Sequence, residues 1–413
     1  MAGGAIPFPQ RPSVIRRGLI SQVAAITVAR IGLNTGYRMI YLFLPALARG
    51  LQVEPQAIIQ AVAARSALGL AAPLVGSLGD QRGRKTAMLA GAGVFAAGCA
   101  ALTAWPGYAT FFVAMLAIAL SKILLEPAGL AYLGDRVPYE RRGLVLGIGE
   151  LGWSGAILLG VPAAGWLMDR AGWKAPFPWL AAFSLAAGLW LWRELVPDSE
   201  SAGGGSSFGA GFRWVVASRS ALALLAVGLL LIAANEIVGI VLGLWMEASF
   251  KLQLAALGAA SAVIGLAELG GEGLVAGLVD RVGKRTSIAI GMLCSSLTAV
   301  ALPVLGRTLS GGLLGVFLFY LVFEFTIVAS LPLITDQIPQ AGATLLAIRI
   351  AASSLGRSLG ALAGGPLYQF GLLANAGAAA GLNLLALAVL LLFVRERVAS
   401  RTVRERPGFP PAV

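Results

Sequence analysis

The sequence predicts an all-α integral membrane protein with twelve transmembrane helices, arranged as two pseudo-symmetric bundles of six. The chain is 58% hydrophobic and 12% charged, with a mean hydropathy of +0.84, whereas about a quarter of the residues in an average soluble domain are charged. Long apolar runs alternate with short charged or Pro/Gly segments. A charged motif between two of these runs recurs about two hundred residues later, which indicates two copies of one unit.

The apolar runs define the spans, because a helix needs about 20 apolar residues to cross a hydrocarbon layer of about 30 Å. In the first half they lie at 19–48, 55–79, 86–105, 107–133, 141–168 and 174–196. In the second half they lie at 216–249, 253–279, 285–305, 309–335, 340–370 and 372–395. A Gly/Ser-rich stretch typical of a flexible tether separates the two sets. We therefore expect an N-terminal bundle over 1–198, a cytoplasmic linker over 199–215, and a C-terminal bundle with a cytoplasmic tail over 216–413.

The repeated motif runs from Gly76 to Thr86 and again from Gly277 to Thr286. An aspartate, a glycine, a basic pair and a threonine recur in it at a constant offset. Asn34 also lies about one repeat from Asn235. Each copy starts after an even number of spans, so the repeat is parallel, an arrangement that permits the halves to rock about a site at the membrane midplane.

This motif resembles the loop between the second and third spans of the Major Facilitator Superfamily, although Gln81 stands where that family more often has a basic residue. The loop from Asp135 to Gly143 also resembles a loop of that family, and the likeness in length and two-halves plan covers the whole chain. The resemblance implies the superfamily's fold, in its drug-efflux-like, twelve-helix branch, and transport by alternating access. It also implies gating loops that contain Asp80, Arg84, Lys85, Asp135, Arg142, Asp280, Lys284 and Arg285. The alternative is that these basic residues only fix the topology.

The positions of the basic residues predict the orientation. Of the 31 Lys and Arg residues, 20 lie on one side of the predicted spans, in the loops, linker and termini or at the span ends beside them. The positive-inside rule places that side, with both termini, in the cytoplasm. We therefore expect a multi-pass protein of a bacterial-type inner (plasma) membrane. A net charge of +12 that is distributed in this way does not indicate nucleic-acid binding.

Several kinds of chemistry are disfavoured by composition. The chain has no histidine, and its two cysteines, Cys99 and Cys294, are isolated within apolar runs. No metal site, cofactor site or nucleophile–base pair is indicated, so we do not expect an enzyme. Any proton chemistry must use carboxylates.

Ionisable residues deep in the spans are the candidates for function, because each costs several kcal/mol if it faces lipid. Arg30, Asn34, Tyr37, Arg38 and Tyr41 follow helical spacing and form one polar stripe, whose guanidinium and hydroxyl groups suit a carboxylate, a phosphate or an aromatic ring. The candidate substrate-binding residues are Arg30, Asn34, Tyr37, Arg38, Tyr41, Arg65, Asn235 and Arg349. Alternatively, the buried charges form structural salt bridges, with Arg30 and Arg38 paired to Glu126 or Glu150.

The candidate proton-coupling residues are Glu126, Glu150, Glu236, Glu268, Glu272 and Glu324. Glu268 and Glu272 share a helix face, where like charges favour proton uptake. Lys122 and Glu126 are four residues apart and can pair with each other.

Together these features predict a proton-coupled antiporter that exports a small organic solute, either anionic or zwitterionic, as a monomer in contact with membrane lipids. A glycine- and proline-containing run in span five, from Gly152 to Gly165, resembles a motif of the superfamily's exporters and slightly favours export. One alternative is a transporter or flippase of an amphipathic or zwitterionic solute, such as a lysolipid, without obligatory protons. Another is a lipid- or pigment-binding membrane scaffold that transports nothing.

Overall fold

The computed structural model describes residues 14–73, 83–137, 149, 151–197, 208–335, 337–338 and 342–394. The first half contains α1 (Val14–Leu51), α2 (Pro55–Ala67), α3 (Arg84–Ala104), α4 (Tyr108–Arg136), α5 (Leu151–Ala171) and α6 (Pro176–Glu194). A 3₁₀ turn over Leu68–Ala71 continues α2, and a π turn over Ala156–Gly160 lies within α5.

The second half repeats this order. It contains α8 (Arg219–Phe250), α9 (Leu254–Val282), α10 (Lys284–Leu305), α11 (Leu309–Thr335), α12 (Gly342–Tyr368) and α13 (Leu372–Phe393). Helix α8 is interrupted at Ile240 and Val241. A short helix, α7 (Phe208–Ala217), precedes it, so helical structure begins inside the stretch assigned to the linker.

The architecture is all-α and membrane-spanning, as the sequence predicts. Within the described residues, nine helices are long and apolar enough to cross a membrane: α3, α4, α5 and α8 to α13. Large apolar side chains such as Trp105, Trp179 and Leu392 lie exposed on the outside of the bundle, where lipid would cover them. The count of twelve spans stays a prediction.

The repeated motif fixes the start of α3 and of α10 in the same way. Gly83 and Gly283 precede these helices with φ angles of 85° and 92°, a conformation that residues with a Cβ rarely adopt. The basic pairs Arg84–Lys85 and Lys284–Arg285 then begin the two helices on the same side of the molecule. We call this side the basic end and the other side the opposite end.

The two halves meet along three seams, α1 with α8, α2 with α12, and α5 with α9. At the opposite end they are in close contact: a Cβ on Gly243 of α8 would strike the carbonyl oxygens of Tyr41 and Leu42 in α1. Arg49 Nη1 lies 2.5 Å from Glu247 Oε1 across the same seam. One apolar core therefore runs through both halves here, whereas a separate cluster fills the basic end of the second half.

Candidate functional site

Polar and charged side chains from α1, α2, α4, α8, α9 and α12 meet where the halves face each other, in the middle of the spans. Arg30, Arg38 and Arg65 are only 3%, 8% and 1% exposed. A buried cation requires a compensating partner, so their contacts show which side chains are structural and which are available to a solute.

The first half contains a closed network around Glu126. Lys122 Nζ donates to Glu126 Oε1 and to Asn34 Oδ1, each at 2.7 Å, and Asn34 Nδ2 donates to Glu126 Oε1 at 2.9 Å. Arg30 Nη1 donates to the Gly149 carbonyl at 2.6 Å, while its Nε lies 3.8 Å from Glu126. The Lys122–Glu126 contact has the i, i+4 geometry that the sequence spacing predicts.

Arg38 pairs across the two halves rather than within its own. Its Nη1 and Nη2 donate to Glu268 Oε2 and Oε1 at 2.7 and 2.5 Å. Such a bidentate, charge-assisted pair is strong. Glu268 is therefore engaged in joining α9 to α1.

Arg65 of α2 contacts the polar stripe of α1 at Tyr37 and Tyr41. It donates to the Tyr37 carbonyl at 2.8 Å and to the Tyr41 hydroxyl at 3.2 Å, and its guanidinium carbon lies 3.6 Å from the centroid of the Tyr37 ring. With its side chain almost fully buried and two of its donors engaged, Arg65 orients the two tyrosines.

Glu236 in α8 is less completely paired. It is 2% exposed, and its Oε2 lies 3.6 Å from Arg357 Nη1, which is too long for a hydrogen bond. The Tyr41 side chain also interacts with this carboxylate. Its Oε1 is buried and has no hydrogen-bond partner among the described residues. Next to it in the chain, the Asn235 Nδ2 is likewise buried without a partner in the described part.

Two aromatic side chains lie among these charges. Tyr37 and Trp153 are tilted at 50° to each other with centroids 6.4 Å apart. Lys122 Nζ lies 5.1 Å from the Tyr37 centroid and 4.7 Å from that of Trp153, and Arg38 lies 4.2 Å from the Trp153 centroid. This arrangement suits an aromatic or apolar solute with an attached anionic group.

Other predicted site residues lie elsewhere or outside the described residues. Arg349 lies two turns from Arg357 along α12, about 12 Å at the helical rise, and Glu324 acts on it electrostatically. Glu272 is one turn nearer the basic end than Glu268. Asp80, Arg142 and Glu150 lie outside the described residues, so their predicted roles stay predictions.

The loop residues at the basic end contact neighbouring helices within each half. Arg84 pairs with Asp135 and donates to the Ala131 carbonyl at 2.9 Å. Lys85 Nζ donates to the carbonyls of Trp192 and Leu195 at 2.7 and 2.6 Å, at the end of α6.

In the second half, Arg285 Nη2 donates to the Leu391 carbonyl at 2.7 Å, at the end of α13. Asp280 lies in the last turn of α9, and Lys284 is the first residue of α10. These positions are compatible with a gating role, which stays a prediction.

Three residues that the sequence did not predict to bind substrate lie in this site: Lys122, Trp153 and Arg357. Lys122 and Arg357 were recognisable as cations inside spans, but hydropathy does not show which way a helix is rotated. Trp153 carried no such signal, because tryptophan is common on lipid-facing and interfacial surfaces as well.

The central site holds more positive than negative side chains. Its described cations are Arg30, Arg38, Arg65, Lys122 and Arg357, and its described carboxylates are Glu126, Glu236 and Glu268. An anion would reduce this imbalance. No three His, Cys, Asp or Glu side chains in the described part of the chain come together as a metal site would require.

The sequence profile of the Major Facilitator Superfamily matches residues 26–343 and again 224–413. The chain belongs to this superfamily. It is therefore a multi-pass membrane transporter and not an enzyme, and members of the superfamily carry small solutes.

Two curated proteins match part of the chain. An uncharacterized MFS-type transporter, YwfA of Bacillus subtilis, is 32% identical over 108 residues, which are 26% of each chain. The vesicular acetylcholine transporter of Mus musculus is 33% identical over 131 residues, 32% of this chain and 25% of that protein. Each match spans about a quarter of the relative's length.

Solved transporters share the fold over almost the whole chain. A peptide transporter POT in complex with alafosfalin has a TM-score of 0.71 at 16% identity, covering 90% of this chain and 94% of that one. The human organic anion transporter MFSD10 has a TM-score of 0.68 at 19% identity, covering 92% and 100%. A bacterial homolog of the human lysosomal transporter Spinster, inward-facing and unoccupied, has a TM-score of 0.68 at 14% identity, covering 93% and 96%.

Proposed function

We propose that this protein is a proton-coupled secondary transporter of a small organic solute and that Glu236 exchanges the proton. One observation carries the proposal: Glu236 is buried between the halves with its Oε1 unpartnered among the described residues and its Oε2 3.6 Å from Arg357. A buried carboxylate with incomplete pairing gains stability when a proton neutralises it.

The other central carboxylates are less suited to this task. Glu268 accepts two hydrogen bonds from Arg38, and Glu126 accepts from Lys122 and Asn34. Both retain compensating partners when ionised, so we assign them to structure.

The contacts between the halves support movement by a rocker-switch mechanism. The opposite end is held by close backbone approach at Gly243 and by the Arg49–Glu247 pair. Breaking these contacts would expose the central site to that end. With the basic end assigned to the cytoplasm by the positive-inside rule, the described conformation corresponds to one closed toward the outside.

Several finer features belong to the same proposal. We place the protein in a bacterial-type inner membrane with both termini in the cytoplasm, as a monomer. Export by antiport rests only on the resemblance of span five to exporters. The charges in the central site concern a different question, which is whether the solute and the proton bind together.

The test is flux in proteoliposomes with an imposed pH gradient, with radiolabelled naphthalene-1-sulfonate as the probe because its charge does not change with pH. Wild type is expected to move the probe against its concentration gradient when the pH gradient is present. The variant Glu236→Gln is expected to equilibrate the probe but not to concentrate it. Glu54→Gln, at an exposed position of the opposite end, is the matched control and should behave as wild type.

The possible results separate the alternatives. Flux that ignores the pH gradient would favour a transporter without obligatory protons, and binding without flux would favour a scaffold. If Glu236→Gln remains fully driven by the gradient, Glu236 does not exchange the proton.

A further inference from the structure

We propose that Arg357 and Lys122 together bind the anionic group of an organic solute, and that Glu236 must take up a proton when that group occupies Arg357, so that anion and proton bind together. This inference rests on the proposed function only in taking the central site as the solute's site. It specifies the charge of the solute and states that the solute and the proton bind together and not in exchange for each other.

The availability of the cations is the first argument. The Lys122 and Arg357 side chains are 24% and 27% exposed, whereas those of Arg30, Arg38 and Arg65 are 8% exposed or less. The three arginines donate to a carbonyl, to a carboxylate, and to a carbonyl with a hydroxyl, respectively. A solute can therefore reach Lys122 and Arg357 without dismantling the rest of the site.

The remaining hydrogen-bonding capacity of these two side chains is the second argument. An ammonium group has three donors, and Lys122 uses two of them, on Asn34 and Glu126, so that one remains for a solute. A guanidinium group has five donors. Arg357 interacts with the Tyr41 side chain, and its contact with Glu236 is long at 3.6 Å, so most of its donors remain for a solute. Arg357 can thus offer the bidentate geometry that suits carboxylates, sulfonates and phosphates.

The placement of the two cations is the third argument. Lys122 comes from α4 in the first half and Arg357 from α12 in the second. Both are close enough to Tyr37 to interact with it electrostatically, and Lys122 also lies over Trp153. An anion between them would contact both halves while its apolar body packs on the two rings.

The charges around Glu236 determine how anion binding is coupled to proton binding. The charged groups and tyrosines facing Glu236 in the described residues are Arg357 of α12, Arg65 of α2, Tyr37 and Tyr41 of α1, and Tyr320 of α11. The arginines stay charged, and a tyrosine ordinarily ionises only near pH 10, so Glu236 is the group in this set that can take up a proton when an anion binds.

An anion on Arg357 would put a second negative charge beside the same cation. A proton from solvent on Glu236 removes that repulsion. Glu126 differs, because Asn34 also donates to it and Arg30 is nearby, so it keeps its charge when Lys122 turns toward a solute. The anion and the proton would then cross the membrane in the same direction, which is the reverse of the antiport predicted from the sequence.

The test is equilibrium binding of naphthalene-1-sulfonate to the full chain in non-ionic detergent, measured by calorimetry. For wild type, affinity should rise by up to about tenfold per unit fall in pH across the range where Glu236 titrates. Glu236→Gln, which imitates the protonated side chain, should bind as tightly as wild type does at low pH and should lose the pH dependence. A merely disrupted site would bind more weakly instead.

The cations are tested in the same assay. Arg357→Gln and Lys122→Gln should each weaken sulfonate binding by about tenfold or more, the loss of one charged contact, and leave binding of the neutral naphthalene-1-sulfonamide unchanged. Arg357→Lys should keep the preference for the sulfonate, which shows that charge and not folding is at issue. The exposed Arg307→Gln and Lys174→Gln are the matched controls and should bind as wild type.

Three results would overturn the inference: no binding of the sulfonate to wild type, equal affinity for sulfonate and sulfonamide, or a pH dependence that survives in Glu236→Gln. Because binding is measured without a membrane or gradient, it is independent of the flux assay. Proton-linked binding without gradient-driven flux would refute the proposed transport and leave the anion site intact.

Discussion

Asn34 and Asn235 lie about one repeat apart, in the first helix of each half, yet their surroundings differ. In the first half, Asn34 is completely buried, its Nδ2 donates to Glu126 and its Oδ1 accepts from Lys122. In the second half, Asn235 Nδ2 and the neighbouring Glu236 Oε1 are buried without partners among the described residues. The asparagine of the first half thus has its polar atoms paired, whereas in the second half an asparagine and a glutamate each keep a buried atom without a partner among the described residues.

This difference indicates that the two halves have different roles in the site. Polar groups that satisfy one another rigidify a site, whereas polar groups left unpaired gain from a ligand or a proton. The first-half network therefore orients the wall of the site and contributes Lys122 to the solute, and the second half supplies Glu236, the group that changes its protonation.

The largest expected effect comes from removing the central carboxylate of the first-half network. Glu126→Gln leaves Lys122 and Arg30 with less compensation and should cost about 3–5 kcal/mol in the free energy of unfolding. Glu236→Gln should cost less than about 1 kcal/mol, because it neutralises a charge that is poorly paired. Chemical unfolding in detergent measures both, and equal losses would contradict the contrast between the halves.

The two asparagines should differ by a smaller amount. Asn34→Ala removes three hydrogen bonds, to Glu126, to the Gly152 carbonyl and from Lys122, and leaves buried partners unsatisfied, at a cost of about 1–3 kcal/mol. Asn235→Ala removes a donor that has no partner in the described part of the chain, so stability should change by less than about 0.5 kcal/mol. The same unfolding assay compares them, and a larger loss for Asn235→Ala would refute the assignment.

The smallest effects are expected at the basic end, where the halves are most alike. Lys85 donates to two carbonyls at the end of α6, and Arg285 donates to one at the end of α13. Lys85→Gln and Arg285→Gln should each lose about 0.3–1 kcal/mol of local stability. Amide hydrogen exchange at the ends of α6 and α13 would detect this, with faster exchange confined to the helix that lost its cation.

The sequence predicted the helices best where charge and glycine punctuate the apolar runs. The span predicted at 285–305 is observed as α10, Lys284–Leu305, because Gly283 ends the preceding helix and the basic pair begins the next one. The interruption of α8 at Ile240 and Val241 was not predicted. Both residues are apolar and β-branched, so hydropathy continues unchanged through the break.

The site was predicted in part. Helical spacing correctly placed the stripe of α1 on one face, but it does not show which helix packs against that face. Arg38 was expected to pair with Glu126 or Glu150 if structural, and its partner is instead Glu268, 230 residues away in the sequence. Arg30 does lie beside Glu126, but its Nη1 hydrogen bond goes to a carbonyl. Partners across the halves depend on how the bundles dock, which local patterns do not encode.

The paired glycines at the starts of α3 and α10 have an evolutionary consequence. Gly83 and Gly283 share φ values of 85° and 92° and the same ψ of 144°, although the residues before them, Arg82 and Val282, have diverged completely in chemistry. After a duplication, each copy of a gene accumulates substitutions independently. Where a backbone conformation admits only glycine at low cost, selection preserves the residue in both copies, so this turn records common ancestry more durably than the side chains around it.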